Sequence, residues 1–114
     1  GKFLLKEIHR ILNDKGVFRC VVPDLNLYVQ NYIGDKVNKG FERYDSTCEA
    51  FNNLAHEWGH LTIWDEKSLK KELLNAGFDK VTVCKFGQGQ NPSLVRDLES
   101  RSWESLYVEG IKNP

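Results

Sequence analysis

His56-Glu57-Trp58-Gly59-His60 is an H-E-x-x-H string, the most pointed chemistry in the chain. On a helix this spacing brings two imidazoles to one face, where they can hold zinc with the glutamate beside a metal-bound water. A catalytic zinc needs a third protein ligand, and His60 is followed by Leu61-Thr62-Ile63-Trp64 with no further histidine in reach. Glu66 comes too soon after His60, and Glu72 belongs to a helix that turns Leu69, Leu73 and Leu74 inward. Trp58 joins the apolar stripe of Phe51, Leu54 and Ala55. A zinc hydrolase using His56 and His60 is therefore the alternative reading, not the leading one. Cys20, Cys48 and Cys84 are odd in number and widely spaced, which suggests neither a disulfide framework nor a cysteine zinc site. Cys20 and Cys84 read as small hydrophobes inside strands. Gly87-Gln88-Gly89-Gln90-Asn91-Pro92 lacks the lysine and helix start of a phosphate loop, so a mobile connection is expected there. Trp103 and Tyr107 read as core or rim aromatics.

The elements that must carry these residues follow from periodicity. Leu4, Ile8, Ile11 and Leu12, with Leu5 beside them, form one face of an amphipathic helix that Gly16 ends. Val17 to Val22 is a β-branched run suited to a strand covered on both faces, stopped by Pro23. Leu25 to Ile33 can form a short helix, and Gly34 to Gly40 an exposed loop. Ser46 and Glu49 have capping-box spacing before a helix from about Thr47 to Trp58. Asp65 can cap a further helix that ends at Gly77, with Phe78 making the hydrophobic contact beyond it. Lys80 to Phe86 and Ser105 to Ile111 alternate as strands. The fold class is α/β, a single domain over residues 1–114 with about three strands, the first two parallel through a helical crossover, and three to four helices.

Bulk numbers narrow the function. The 114 residues carry 16 Lys+Arg and 16 Asp+Glu, so no basic field draws in nucleic acid or an anionic membrane. No apolar run is long enough to span a bilayer, and a reducing, cytoplasmic setting fits the cysteines. Zero net charge eases self-association. A first residue Gly1 with no methionine anywhere suggests a natural start elsewhere.

Taken in order, Leu5-Lys6-Glu7-Ile8-His9-Arg10-Ile11-Leu12, Lys15-Gly16-Val17-Phe18-Arg19 and Val21-Val22-Pro23-Asp24 resemble the later helix, glycine turn and fifth strand of class I S-adenosylmethionine-dependent methyltransferases of the type 11 branch. His60 to Asp65, Leu69 to Phe78 with its Asn75-Ala76-Gly77-Phe78 ending, and Ser105-Leu106-Tyr107-Val108-Glu109 continue the resemblance over nearly the whole chain. It implies a partial Rossmann-like sheet in which Ser105 to Ile111 runs antiparallel between the other two strands. It implies S-adenosylmethionine as the parent family's cofactor, held on a glycine-rich turn that no position here matches. The expected entity is a truncated C-terminal half, inactive and unable to bind the cofactor alone. The strand edge such a half exposes would pair with a second copy as a homodimer or with the missing half.

Ligands of open α/β sheets gather outside the carboxyl ends of strands, which places Pro23 and Asp24 on the functional rim. The resemblance puts His60 and Trp64 in the substrate-facing insertion. Methyl transfer needs an aligned acceptor and a base for its proton, roles open to Asp24 or His60, with Pro23 and Trp64 binding a small-molecule acceptor. Helix capping is the competing role for Asp24, and a solvent-facing or core imidazole for His60.

Overall fold

The computed structural model describes residues 2–34, 39–57 and 63–112, and of residues 2, 3, 56 and 57 the backbone alone. Helix α1 (Lys2–Ile11) leads into β1 (Val17–Pro23), then α2 (Leu25–Ile33), α3 (Thr47–Glu57), α4 (Glu66–Asn75), β2 (Lys80–Cys84) and β3 (Ser105–Ile111). Three 3₁₀ segments, Lys39–Arg43, Pro92–Leu94 and Glu99–Arg101, fill the connections.

The sheet order is β1-β3-β2, and both ladders are antiparallel. The last strand thus lies in the middle, as expected. The parallel pair is corrected. β1 and β2 run in the same direction because each opposes β3, but among the described residues no parallel ladder joins them. The molecule is a mixed α/β fold on a three-stranded antiparallel sheet.

One sheet face builds the main core. Phe18, Cys20 and Val22 of β1, Val81 and Val83 of β2, and Leu106 and Val108 of β3 pack under Leu5, Leu69, Leu73 and Phe78. Burial pushes the Cys20 thiol up to about 11, as befits a thiol used for packing. Helix α1 turns Leu5, Ile8 and Leu12 inward and leaves Leu4 and Ile11 61% and 67% exposed. The expected face counted both of the latter as core. Its carboxyl end is closed by the Lys112 ammonium, which donates to the carbonyls of His9 at 2.8 Å and Leu12 at 2.9 Å. In the turn that follows, Lys15 adopts the left-handed conformation at φ +66°, while Gly16 is needed for its close approach to the Asn13 carbonyl.

Helix α4 is fixed at both ends by local chemistry. The Asp65 carboxylate accepts from the Ser68 N–H at 2.8 Å, and the Asp65 N–H donates to the Ser68 hydroxyl at 3.1 Å. Gly77 takes φ +111°, and the Gly77 and Phe78 N–H groups donate back to Leu74 and Leu73. That pair of bonds is the Schellman closure, with Phe78 carried onto the core. At the start of α3 the Ser46 hydroxyl accepts from the Glu49 N–H, but the Glu49 carboxylate reaches Asp45 instead of completing the box on Ser46.

A second core joins α2, α3 and the segment before β3. Tyr28, Phe41, Ala50, Leu54 and Trp103 are its buried members, with the Phe41 and Trp103 rings edge to face at 4.8 Å. This core sits beyond the carboxyl end of β1 and holds the backbone there in place.

Candidate functional site at the carboxyl end of the first strand

As β1 ends, Asp24 becomes the N-cap of α2. Its backbone is extended and its carboxylate accepts from the Asn26 N–H at 2.9 Å. The Asp24 N–H donates to the Glu104 carbonyl at 2.7 Å, and the Leu25 N–H to the Trp64 carbonyl at 2.9 Å. Asp24 and Trp64 thereby form an isolated parallel bridge. Pro23, Asp24 and Trp64, three of the residues singled out from sequence, meet at one point. His60 falls within 58–62, outside the described residues, as does Trp58, and His56 is described only as backbone of α3. Among the described residues no group of three or more His, Cys, Asp or Glu is arranged to hold a metal ion. The zinc motif thus rests on residues whose side chains lie outside the description.

Asp24 is half-buried, and burial is the main cause that raises its carboxyl above the ordinary range, with the charges of Asp65 and Glu66 adding to it and the Asn26 N–H opposing. A raised carboxylate is a stronger base, the property a proton-accepting role requires. Asp65 differs. Its hydrogen bonds to Ser68 hold it below the usual value and commit it to capping α4. Asp24, Asn26, Asp65, Glu66, Lys67 and Lys70 line a shallow depression. Trp64 packs its side chain partly against the main core.

On the other side of Pro23 lies a cavity of about 430 Å³, with Val21, Val22, Pro23, Leu98 and Tyr107 among its lining along with Arg96 and Arg101. Its boundary depends on two carboxylate clusters that sequence reasoning missed. The Arg19 guanidinium donates to Asp97 at 2.6 and 3.0 Å and to Glu109 at 2.8 Å, with all three side chains at most 4% exposed. The Asp97 carboxyl is held low by Arg19 first and also by the Gly87 N–H. Glu104, 1% exposed, accepts from the Tyr28 hydroxyl at 2.6 Å and from Arg101 at 2.7 Å. Burial, then the Glu104 carboxylate, pushes the Tyr28 phenol far up.

The same network closes the glycine-rich segment. The Gly87 N–H donates to Asp97 at 2.7 Å and the Gln90 N–H to Glu109 at 3.0 Å, while Gly89 sits so close to Glu109 that a Cβ would stand 2.5 Å from its carboxylate. The expected mobile connection is instead clasped to the sheet. A single arginine inside the apolar run V-F-R-C-V-V was the available signal, since a buried guanidinium requires carboxylates. Trp103 and Tyr107, 6% and 4% exposed, are core residues as read.

Compared with protein-family models, with curated proteins and with solved structures, the chain matches none. No helix among the described residues is long and apolar enough to cross a membrane.

Proposed function

We propose that this chain is the C-terminal half of a class I S-adenosylmethionine-dependent methyltransferase fold and supplies the acceptor side of its site. The observation that carries the reading is the strand order β1-β3-β2, with the last strand inserted antiparallel between two strands of common direction. In the proposed parent fold β1 and β2 are the fifth and sixth strands of a Rossmann-like sheet. The edge of β1 away from β3, unpaired among the described residues, is where the cofactor half joins it in parallel, or where a second copy of this chain pairs in its place.

S-adenosylmethionine itself does not fit the residues present. The G-x-G of Gly87 to Gly89 follows a strand, but it leads into the 3₁₀ segment Pro92–Leu94, and its neighbouring amides are spent on Asp97 and Glu109. Asp24, half-buried and raised, is the base or orienting acceptor for a nucleophile's proton, with His60 the alternative in the same role, and Pro23 and Trp64 border the acceptor's approach.

The coding sequence immediately upstream of Lys2 tests the reading. A strand running into a G-x-G turn and a helix, followed by further strands, is expected. A domain of another class joined directly to α1 would overturn it.

A further inference from the structure

We infer that the open edge of β1 pairs antiparallel with the same edge of a second copy of this chain, in the register that sets Arg19 against Arg19 and Val17 against Val21. The inference rests on the functional reading above, since it names what takes this edge where the cofactor half is absent. Its first support is the direction of the main-chain groups. The Asp24 N–H donates to the Glu104 carbonyl at 2.7 Å and the Lys112 N–H to the Gly16 carbonyl at 2.9 Å, so in the β1–β3 register the even-numbered residues of β1 turn their N–H and C=O toward β3. Val17, Arg19, Val21 and Pro23 turn theirs outward, and Pro23 has no N–H to leave unmet. Past Pro23 the chain closes the edge itself, where the Leu25 N–H donates to the Trp64 carbonyl at 2.9 Å. The free stretch is Val17 to Val21. Arg19 shows that it is open, because the residue as a whole is partly exposed although its side chain is only 4% exposed, and the part that meets solvent is main chain.

The second support is the match this stretch offers to itself. Its outward groups are spaced evenly about Arg19, so a two-fold copy brings every free N–H of Val17, Arg19 and Val21 to a free C=O, and a shift of register in either direction leaves some unpaired. Charge does not oppose it. Arg19 is the one charged residue of β1, and its guanidinium is turned onto Asp97 and Glu109 of its own chain, so the edge lacks the lysines that guard exposed strands. Val17 and Val21, the latter 42% exposed, become an apolar cross-strand pair. An unrelated strand would find the same main-chain groups but no charged side chain along the edge to select it. Helix α1 extends the surface. Its His9 flank touches Phe78 beyond the end of α4, while Leu4 and Ile11, 61% and 67% exposed, lie on the opposite flank, away from α4. In the two-fold arrangement the α1 helices lie antiparallel on one sheet face, and these two residues meet their counterparts.

Sedimentation velocity and amide hydrogen exchange of the 114-residue chain, each from about 1 to about 200 µM, test the pairing. A dimer that dissociates on dilution is expected, with the Arg19 and Val21 amides slowing about tenfold or more as it forms and the Phe18 and Val22 amides, already bonded to β3, changing less. Val21→Lys, at an exposed side chain, is expected to weaken the dimer about tenfold or more while the dilute chain keeps its melting temperature. Ile11→Lys should weaken it too. A monomer throughout, a dimer that leaves the Arg19 and Val21 amides unprotected, amides already slow in the dilute monomer, or a dimer undiminished by both substitutions would each overturn the pairing. Those results leave the methyltransferase reading standing, which fails instead on the upstream coding sequence.

Discussion

Arg19 shows what a single residue commits the chain to. It stands in an apolar strand with a side chain 4% exposed and satisfies two carboxylates that are 2% and 3% exposed. Arg19→Met would strand both, and a broken buried ion network costs about 3–5 kcal/mol, a large part of the stability of a domain this size. Urea unfolding should show a midpoint lowered accordingly. The same cluster sets an acid limit. Because Arg19 lowers the native Asp97 carboxyl, the stability it contributes is complete above the unfolded carboxylate range near pH ~4 and is lost as pH falls through the lower native value. Thermal melts from pH 6 to about 2 should decline, and Asp97→Asn should flatten that decline. Asp24 has the opposite sign. Its raised carboxyl means the native state prefers the proton, so Asp24→Asn, which keeps a cap, should leave stability at pH 7 equal or higher, while Asp24→Ala should lower it by about 1 kcal/mol. The Arg19 cluster was hidden because its partners lie 78 and 90 positions away, and only the topology unites them.

Elements were the most legible level where local chemistry decides them. Asp65, Gly77 and Phe78 are a start and stop written within one helix length, and the structure uses all three, with Ser68 completing the box at Asp65. Gly77→Ala should destabilise by about 1 kcal/mol, because alanine at φ +111° is strained and its methyl would press on the His9 ring, 3.0 Å away. A chemical denaturation midpoint measures it. Helix α1 was legible in extent but not in facing. Leu4 with Leu5 and Ile11 with Leu12 are apolar pairs, so periodicity alone admits two rotations about the axis, and contact with α4 selects Leu5, Ile8 and Leu12. The Gly87 to Pro92 segment was misread for a related reason. Its composition describes an open turn, while its order comes from carboxylates on other elements.

At the scale of the whole molecule, the β1-β3-β2 order came from the resemblance in element succession, not from any pattern within a strand, and the ladders proved antiparallel because β3 separates the two strands of common direction. Two depressions flank the end of β1, one around Asp24 and one around Pro23; the rim that carries both residues was expected, whereas the Arg19 and Glu104 networks bordering the second were not. The central claim is that these residues form the acceptor half of a methyltransferase fold. Calorimetric titration of S-adenosylhomocysteine into the 114-residue chain, and into the same chain extended by its preceding coding sequence, tests it most directly. Saturable binding by the extended chain and none by the shorter one is expected; micromolar binding by the shorter chain, or no binding by the extended one, would contradict the assignment.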